Sequence, residues 1–348
     1  MFGDYIYKKK VYSTIDEMKK DGKDVRVWNI KRSGMLRILR DTARLCRSEH
    51  IDAVVMHHNA PFFKLVILWL KLFGPKTATI AYKHDAEEEK VHNTRSVKEY
   101  VKVFIKKQIQ KWGFSHADGI VAISEFVKAS MAKQMHVPAE KIDVLYNGAP
   151  LTEFQSKERC TADTVRLIYV GRLIQDKGVQ NIIPAIKQVS GKYPVTLDIV
   201  GDGLYKTELE KLAAQCGLQE EVRFCGACRD VPARLAKADI FIHVPECEEG
   251  FGITVVEAMA AGCLCVCAAK GGIPEIIRDG VDGILIPSAS AEELAEVLER
   301  IIPEYLKGDY REIQNQAICR ANEFSIQNYS GIFDRYIEEK CGMSNFAE

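Results

Sequence analysis

Two carboxylates, Glu249 and Glu257, bracket seven residues in ECEEGFGITVVEAMAAGC (Glu246–Cys263), and the first three of the seven are Gly-Phe-Gly. The residues that follow read as an apolar helix. On it the i±3 and i±4 neighbours of Glu257 are Ile253, Thr254, Ala260 and Ala261, so the helix places no Lys or Arg to pair with the carboxylate. Buried there, Glu257 needs hydrogen bonds from outside the helix. Gly250, Phe251 and Gly252 offer backbone amides at the helix start, a favourable place for phosphate or anionic oxygen. A glycosidase acid and nucleophile is the competing chemistry. A retaining pair stands about 5–5.5 Å apart, whereas the helical residues from Gly252 to Glu257 alone rise about 7.5 Å. The two carboxylates are better suited to grip different parts of one extended, hydroxyl-rich ligand, since carboxylates accept hydrogen bonds from sugar hydroxyls.

A second stretch, YVGRLIQDKG, reads as a strand, a turn at Gly171, then Arg172 and Lys177 before a helix. Two cations at the carboxyl edge of a sheet suit an anion such as a diphosphate. Alone, they would read as solvated loop charges; the Gly250–Gly252 amides in the same half of the chain favour the anion site. IVGDGLYK suggests a dinucleotide fingerprint, but its third glycine would fall at Lys206, leaving a plain strand-to-helix turn. Cys225-x-x-Cys228 and the alternating Cys263, Cys265 and Cys267 raise zinc or redox chemistry. A structural zinc takes four ligands from two such knuckles, the alternating set points to one face of a buried strand where cysteine acts as a small apolar residue, and the inert reading is preferred. His84 follows a strand directly, beside Asp85, where a cleft position and a structural one are both open. KEYVKVFIKKQIQKW aligns Lys98, Lys102 and Lys106 opposite Val101, Phe104, Ile105, Ile109 and Trp112. That pattern fits a helix resting on anionic lipid or a core-packed helix with a solvated face.

These residues need a scaffold. With 348 residues, 47% apolar and 28% charged, the chain suits a globular protein of two domains and not a disordered or fibrous one. Eleven cysteines without an apolar leader suggest a reduced, cytoplasmic setting. The longest apolar run, FFKLVILWLKLF, carries Lys64 and Lys71 and suits a core helix. Zero formal charge hides an asymmetry: residues 1–155 hold 27 basic and 18 acidic residues, leaving 48−27 = 21 basic and 48−18 = 30 acidic in the remainder. A basic half points to an anionic partner, such as a membrane surface on the inner face. Short apolar runs alternate with helix-period segments throughout, from DVRVWNI and DAVVMH to CLCVCAA and GILIP, which implies parallel sheets buried on both faces. LTEFQSKERCTADT is the candidate linker. Two doubly wound α/β domains facing each other would place a ligand cleft between the carboxyl ends of their sheets.

Taken in order, GRLIQDKG, IVGDG, VRFCG, EEGFGITVVEAMAAG and GGIPEII resemble the retaining glycosyltransferases of family 4, which have the GT-B fold of two Rossmann-like domains across a cleft. YKHD, GIVAISE and VLYNG extend the resemblance into the first half. It implies an acceptor-side domain over 1–155, a nucleotide-sugar domain over 156–325, and a last helix, 326–348, crossing back to the first domain. It also implies roles. Gly171, Arg172 and Lys177 would hold the donor diphosphate, Glu257 the ribose, and the backbone from Gly226 to Cys228 the base. Glu249 and the amides of Gly250, Phe251 and Gly252 would hold the donor sugar, with His84 near the reacting centre. The donor would be a nucleotide-diphosphate sugar, a UDP-sugar foremost. The acceptor would be a glycan or glycolipid, with no bound metal and no nucleic acid partner. The chain opens in what resembles the helix after the family's first strand and Gly-rich loop, with only Gly3 where a glycine pair is expected. That departure keeps two alternatives open, an impaired nucleotide-sugar-binding partner protein and a GT-B sugar-nucleotide epimerase.

Overall fold

A computed structural model describes residues 35–57, 61–85, 97–154, 164–228 and 230–342. The strand expected at DVRVWNI, the opening loop around Gly3 and most of the candidate linker lie outside these residues. Apolar runs flanked by turn residues become strands of two wholly parallel sheets. The first sheet has the order β1 (Ala53–Met56), β2 (Ala78–Lys83), β3 (Gly119–Ala122), β4 (Asp143–Val144). The second contains β5 (Val165–Val170), β6 (Val195–Val200), β7 (Val222–Gly226), β8 (Ile240–His243), β9 (Leu264–Ala268) and β10 (Ile284–Ile286). Its spatial order is β10-β9-β8-β5-β6-β7. Chain order therefore reverses between β5 and β8, and at such a switch point the loops leaving two neighbouring strands diverge and open a crevice.

Burial explains the composition of these strands. Every residue of β8 and β9 is buried, and Cys263, Cys265 and Cys267 are 0% exposed among aliphatic neighbours, as expected of small apolar residues. The apolar run at 61–73 forms the helix Pro61–Phe73, which buries Val66, Ile67 and Leu70 but leaves Leu72 and Phe73 on the surface. Among the described residues no helix is long and apolar enough to cross a membrane.

The last helix, Ile326–Lys340, lies against the first sheet. The amide of Ala149 donates to the carbonyl of Phe324 (2.9 Å), and that of Ile326 to the carbonyl of Ala149 (2.9 Å). Tyr336 donates to Asp143 (2.9 Å), and the Tyr82 and Tyr329 hydroxyls lie 3.0 Å apart. A Cβ on Gly119 would stand 2.5 Å from the Tyr336 hydroxyl, so the glycine makes room for this contact. Two further struts connect the halves near the crevice. Ser124 Oγ donates to the carbonyl of Gly250 (2.7 Å), and the Glu275 carboxylate accepts from the amides of Glu125 (2.7 Å) and Phe126 (2.8 Å). Those amides open the helix Glu125–Met135, so a carboxylate from the second half caps a helix of the first.

Candidate active site

Lys177 and Glu249 meet at the switch point. Lys177 lies in the turn after β5 and Glu249 in the loop after β8, and their side chains form a partly buried ion pair. Backbone geometry makes the meeting possible. Gly178 has φ +72°, and a Cβ there would sit 1.8 Å from the Val244 carbonyl oxygen, so only glycine lets the turn rest on the exit of β8. The two loops are then joined. The amides of Glu246 and Cys247 donate to the Asp176 carbonyl (3.0 and 3.3 Å), and Gln180 and Asn181 donate to the Glu246 carboxylate (2.8 and 3.0 Å). From the other side the Gly272 amide donates to the Glu249 carbonyl (2.7 Å). A Cβ on Gly271 would reach within 2.1 Å of that same oxygen.

Glu249 carries a negative charge although it is largely buried. Burial opposes the charge; the contact with His243 and the positive charge of Lys177 outweigh it and hold the carboxyl at about 2. His243 ends β8, is 3% exposed, and places Nε2 3.4 Å from Glu249 Oε2. Sequence reading passed over it as one more residue of an apolar strand. A histidine at the carboxyl end of DIFIHV was the available signal.

The other candidate residues take distinct places. Arg172 is exposed on the same loop as Lys177, and its carbonyl accepts from the Tyr169 hydroxyl (3.1 Å). The amide of Gly171 donates to the Val200 carbonyl (3.0 Å). Gly252, at φ +100°, starts the helix Ile253–Ala260, and Glu257 is buried in its second turn. Gly250 passes close to the first half: its missing Cβ would be 2.9 Å from the His84 carbonyl oxygen. His84 thus reaches the crevice from the carboxyl end of β2, and its Nε2 lies 3.0 Å from Nδ1 of His57 at the end of β1. Phe251, considered for its amide, buries its ring against Tyr146 and Phe324 (centroids 5.9 and 5.5 Å apart).

Two further stretches shape the edge of the second sheet. The turn at Gly201 and Gly203 is the expected strand-to-helix connection, between β6 and the helix Lys206–Gln215. Added Cβ atoms would strike the carbonyls of Gly171 (1.8 Å) and Leu173 (2.2 Å), so the glycines let this loop lie flat on the loop carrying Arg172. The Gly201 amide in turn donates to Gly226 (2.9 Å), which aligns the exits of β5, β6 and β7. Cys225 and Cys228 stand in a different environment from the buried Cys263, Cys265 and Cys267. Both are half-buried, and Arg234 Nε and the Asp230 amide each donate to Cys228 Sγ at 3.3 Å. The Arg234 hydrogen bond lowers the Cys228 thiol, while burial raises that of Cys225.

Two parallel-sheet halves with polar loops converging on a crevice at the switch point define a two-part, doubly wound α/β protein. The comparisons narrow the class. A model described as glycosyltransferase family 4 matches residues 15–153, and one described as glycosyl transferases group 1 matches residues 152–318. The chain belongs to the family-4-type glycosyltransferases of GT-B fold. It is similar to an uncharacterized glycosyltransferase of Methanocaldococcus jannaschii, 28% identical over 82% of this chain and 76% of that protein. It is also similar to a D-inositol 3-phosphate glycosyltransferase of Corynebacterium kroppenstedtii, 31% identical over 53% of this chain. The match spans about half the length of several such relatives, 46% in that case. Among solved structures, Anabaena HepE in complex with UDP-glucose has the same fold, with a TM-score of 0.73, 21% identity, and coverage of 93% of this chain and 88% of HepE.

Proposed function

We propose that the protein transfers a sugar, with retained anomeric configuration, from a nucleotide-diphosphate sugar to a glycan or glycolipid acceptor, without a bound metal. The observation that carries this reading is the Lys177–Glu249 pair at the switch point. Lys177 and Glu249 neutralise each other there. A donor diphosphate offers Lys177 a more highly charged partner, and the carboxylate can then accept hydrogen bonds from the sugar hydroxyls. Arg172, on the same loop, adds a second cation for the charge that grows on the leaving diphosphate as the glycosidic bond breaks. Glu257 serves the ribose hydroxyls, the amides of Gly250 to Gly252 face the sugar end, and the backbone from Gly226 to Cys228 lines the base. His84 comes from the acceptor side. The UDP-glucose held by HepE, within the same fold, supports a UDP-sugar as donor.

The test is a screen of nucleotide sugars by thermal shift, followed by nucleotide release and by NMR of the product's anomeric proton. A single donor that stabilises the protein and yields the retained anomer, with or without chelator, is expected. Inverted product, or a chain that binds no nucleoside diphosphate, would overturn the reading. We further propose a loose seat on anionic membranes through the helix Val97–Ser115, where Val101, Phe104 and Ile105 are about half exposed. Binding to anionic liposomes should weaken with salt and with Lys102→Glu plus Lys106→Glu. Unchanged binding by that double variant would dismiss it.

A further inference from the structure

His243 is a buried side chain to which the proposed chemistry assigns nothing. It ends β8 at 3% exposure, in a strand where every other residue is Ile or Phe, and both of its ring nitrogens are buried without a hydrogen-bond partner among the described residues. Such groups are costly to bury, and an aliphatic residue would satisfy the strand better. Its surroundings explain its retention only in one direction. Phe241 stacks near it on the same strand (centroids 6.2 Å apart), and Cys267 is its partner on β9. Among the described residues the charged group in contact with it is Glu249. Nε2 stands 3.4 Å from Glu249 Oε2, the same oxygen that Lys177 engages, slightly too far or oblique for a hydrogen bond in this arrangement.

We propose that His243 is the positioning residue for Glu249: its Nε2–H closes onto the carboxylate when Lys177 turns to a donor diphosphate, and holds the carboxylate towards the donor sugar. The proposal rests on the donor site described above. When Lys177 turns away, a carboxylate that is only 19% exposed loses its cation, and the imidazole is the donor already within a few tenths of an ångström of bonding range. The depressed titration of Glu249, to which His243 contributes, agrees with this placement.

His243→Leu removes the donor and the two unpartnered nitrogens together, and His243→Gln returns an N–H to the Nε2 position. Three readouts decide. First, NMR titration of the Glu249 carboxyl needs no ligand. It should move upward in His243→Leu and return towards wild type in His243→Gln; an unchanged titration refutes the coupling. Second, the thermal midpoint of His243→Leu should equal or exceed that of wild type, because a buried polar ring is replaced by an apolar side chain. Third, calorimetry should show nucleoside-diphosphate affinity within twofold of wild type, while kcat with the nucleotide sugar falls tenfold or more and the Gln variant recovers most of it. Wild-type kcat in His243→Leu, or kcat and thermal midpoint falling together without rescue by Gln, would reduce His243 to packing and overturn the proposal. Failure of the donor-site reading is separately visible, as absence of nucleotide binding by the wild type.

Discussion

The two sides of the crevice are built by different means. On the second sheet the site loops are fixed by backbone contact: Gly178 against Val244, Gly201 against Gly171 and Gly271 against Glu249, each at a distance no Cβ could share. The ion pair of Lys177 and Glu249 rests on that lattice of main chain. On the first sheet the corresponding edge is made of side chains. His57 and His84 share a hydrogen-bond distance, His57 stacks on Tyr82 (4.4 Å), and exposed apolar residues such as Leu72, Phe104 and Ile105 lie on the helices Pro61–Phe73 and Val97–Ser115 of the same half. A main-chain site admits little change and suits a ligand part that is always the same, such as a diphosphate. A side-chain site can be altered residue by residue, which suits the part of a reaction that varies, the acceptor under the proposed function.

Substitutions can break this contrast, and the largest effect should come from Lys177. Lys177→Ala removes a donor aimed at developing charge, and kcat should fall about 10²–10³-fold, by analogy with loss of one preorganised donor; steady-state kinetics with the donor found in the screen reads it. Gly178→Ala comes next. Its methyl must displace the turn from Val244 and moves Lys177 with it, for a loss on the order of a hundredfold. By contrast His57→Ala, on the side-chain edge, should leave nucleotide affinity intact; equal damage from both would erase the distinction between the two edges.

Acid stability gives a smaller effect with a defined sign. The Glu249 carboxyl is lowered from 4.5 to about 2 in the folded chain. Its contribution is therefore complete above pH 4.5 and is lost as pH falls towards 2. Urea unfolding at pH 6 and pH 3 should show wild type losing about 2 kcal/mol more than Glu249→Gln over that interval. Parallel losses would mean that the carboxylate gains nothing from Lys177 and His243. Smallest are the struts between the halves. Ser124→Ala deletes the hydrogen bond to Gly250 together with the N-cap bond from the Val127 amide, and should cost about 1–2 kcal/mol, seen as a drop of a few degrees in thermal midpoint.

Much of this was legible in the chain because it depends on local pattern. Alternating apolar runs and helices announce parallel sheets, and Glu249, Arg172 and Lys177 stand where strand-to-helix turns put side chains at a sheet edge, with Glu257 on the helix that follows. What escaped notice depends on contacts between distant segments. Glu275 stands within GGIPEII, where nothing local shows that its carboxylate caps a helix beginning at Glu125. Gly201 and Gly203 failed a three-glycine motif, but their role is to let two loops lie flat. His243 was hidden in an apolar strand, since no periodicity says which strand end will face a carboxylate six residues later. Phe251 was valued for its amide, and only the docking of Tyr146 and Phe324 shows what its ring does.

The central claim is that the second sheet's edge grips the donor nucleotide, with Glu257 on the ribose. Calorimetric titration of the nucleoside diphosphate into wild type and Glu257→Gln tests it most directly, because Gln keeps the shape and one acceptor while removing the charge. A charged hydrogen bond contributes about 1.5–3 kcal/mol, so affinity should fall about tenfold or more with the thermal midpoint of the free protein preserved. Equal affinity in the two proteins would mean that the carboxylate serves another purpose and that the donor does not lie along this edge.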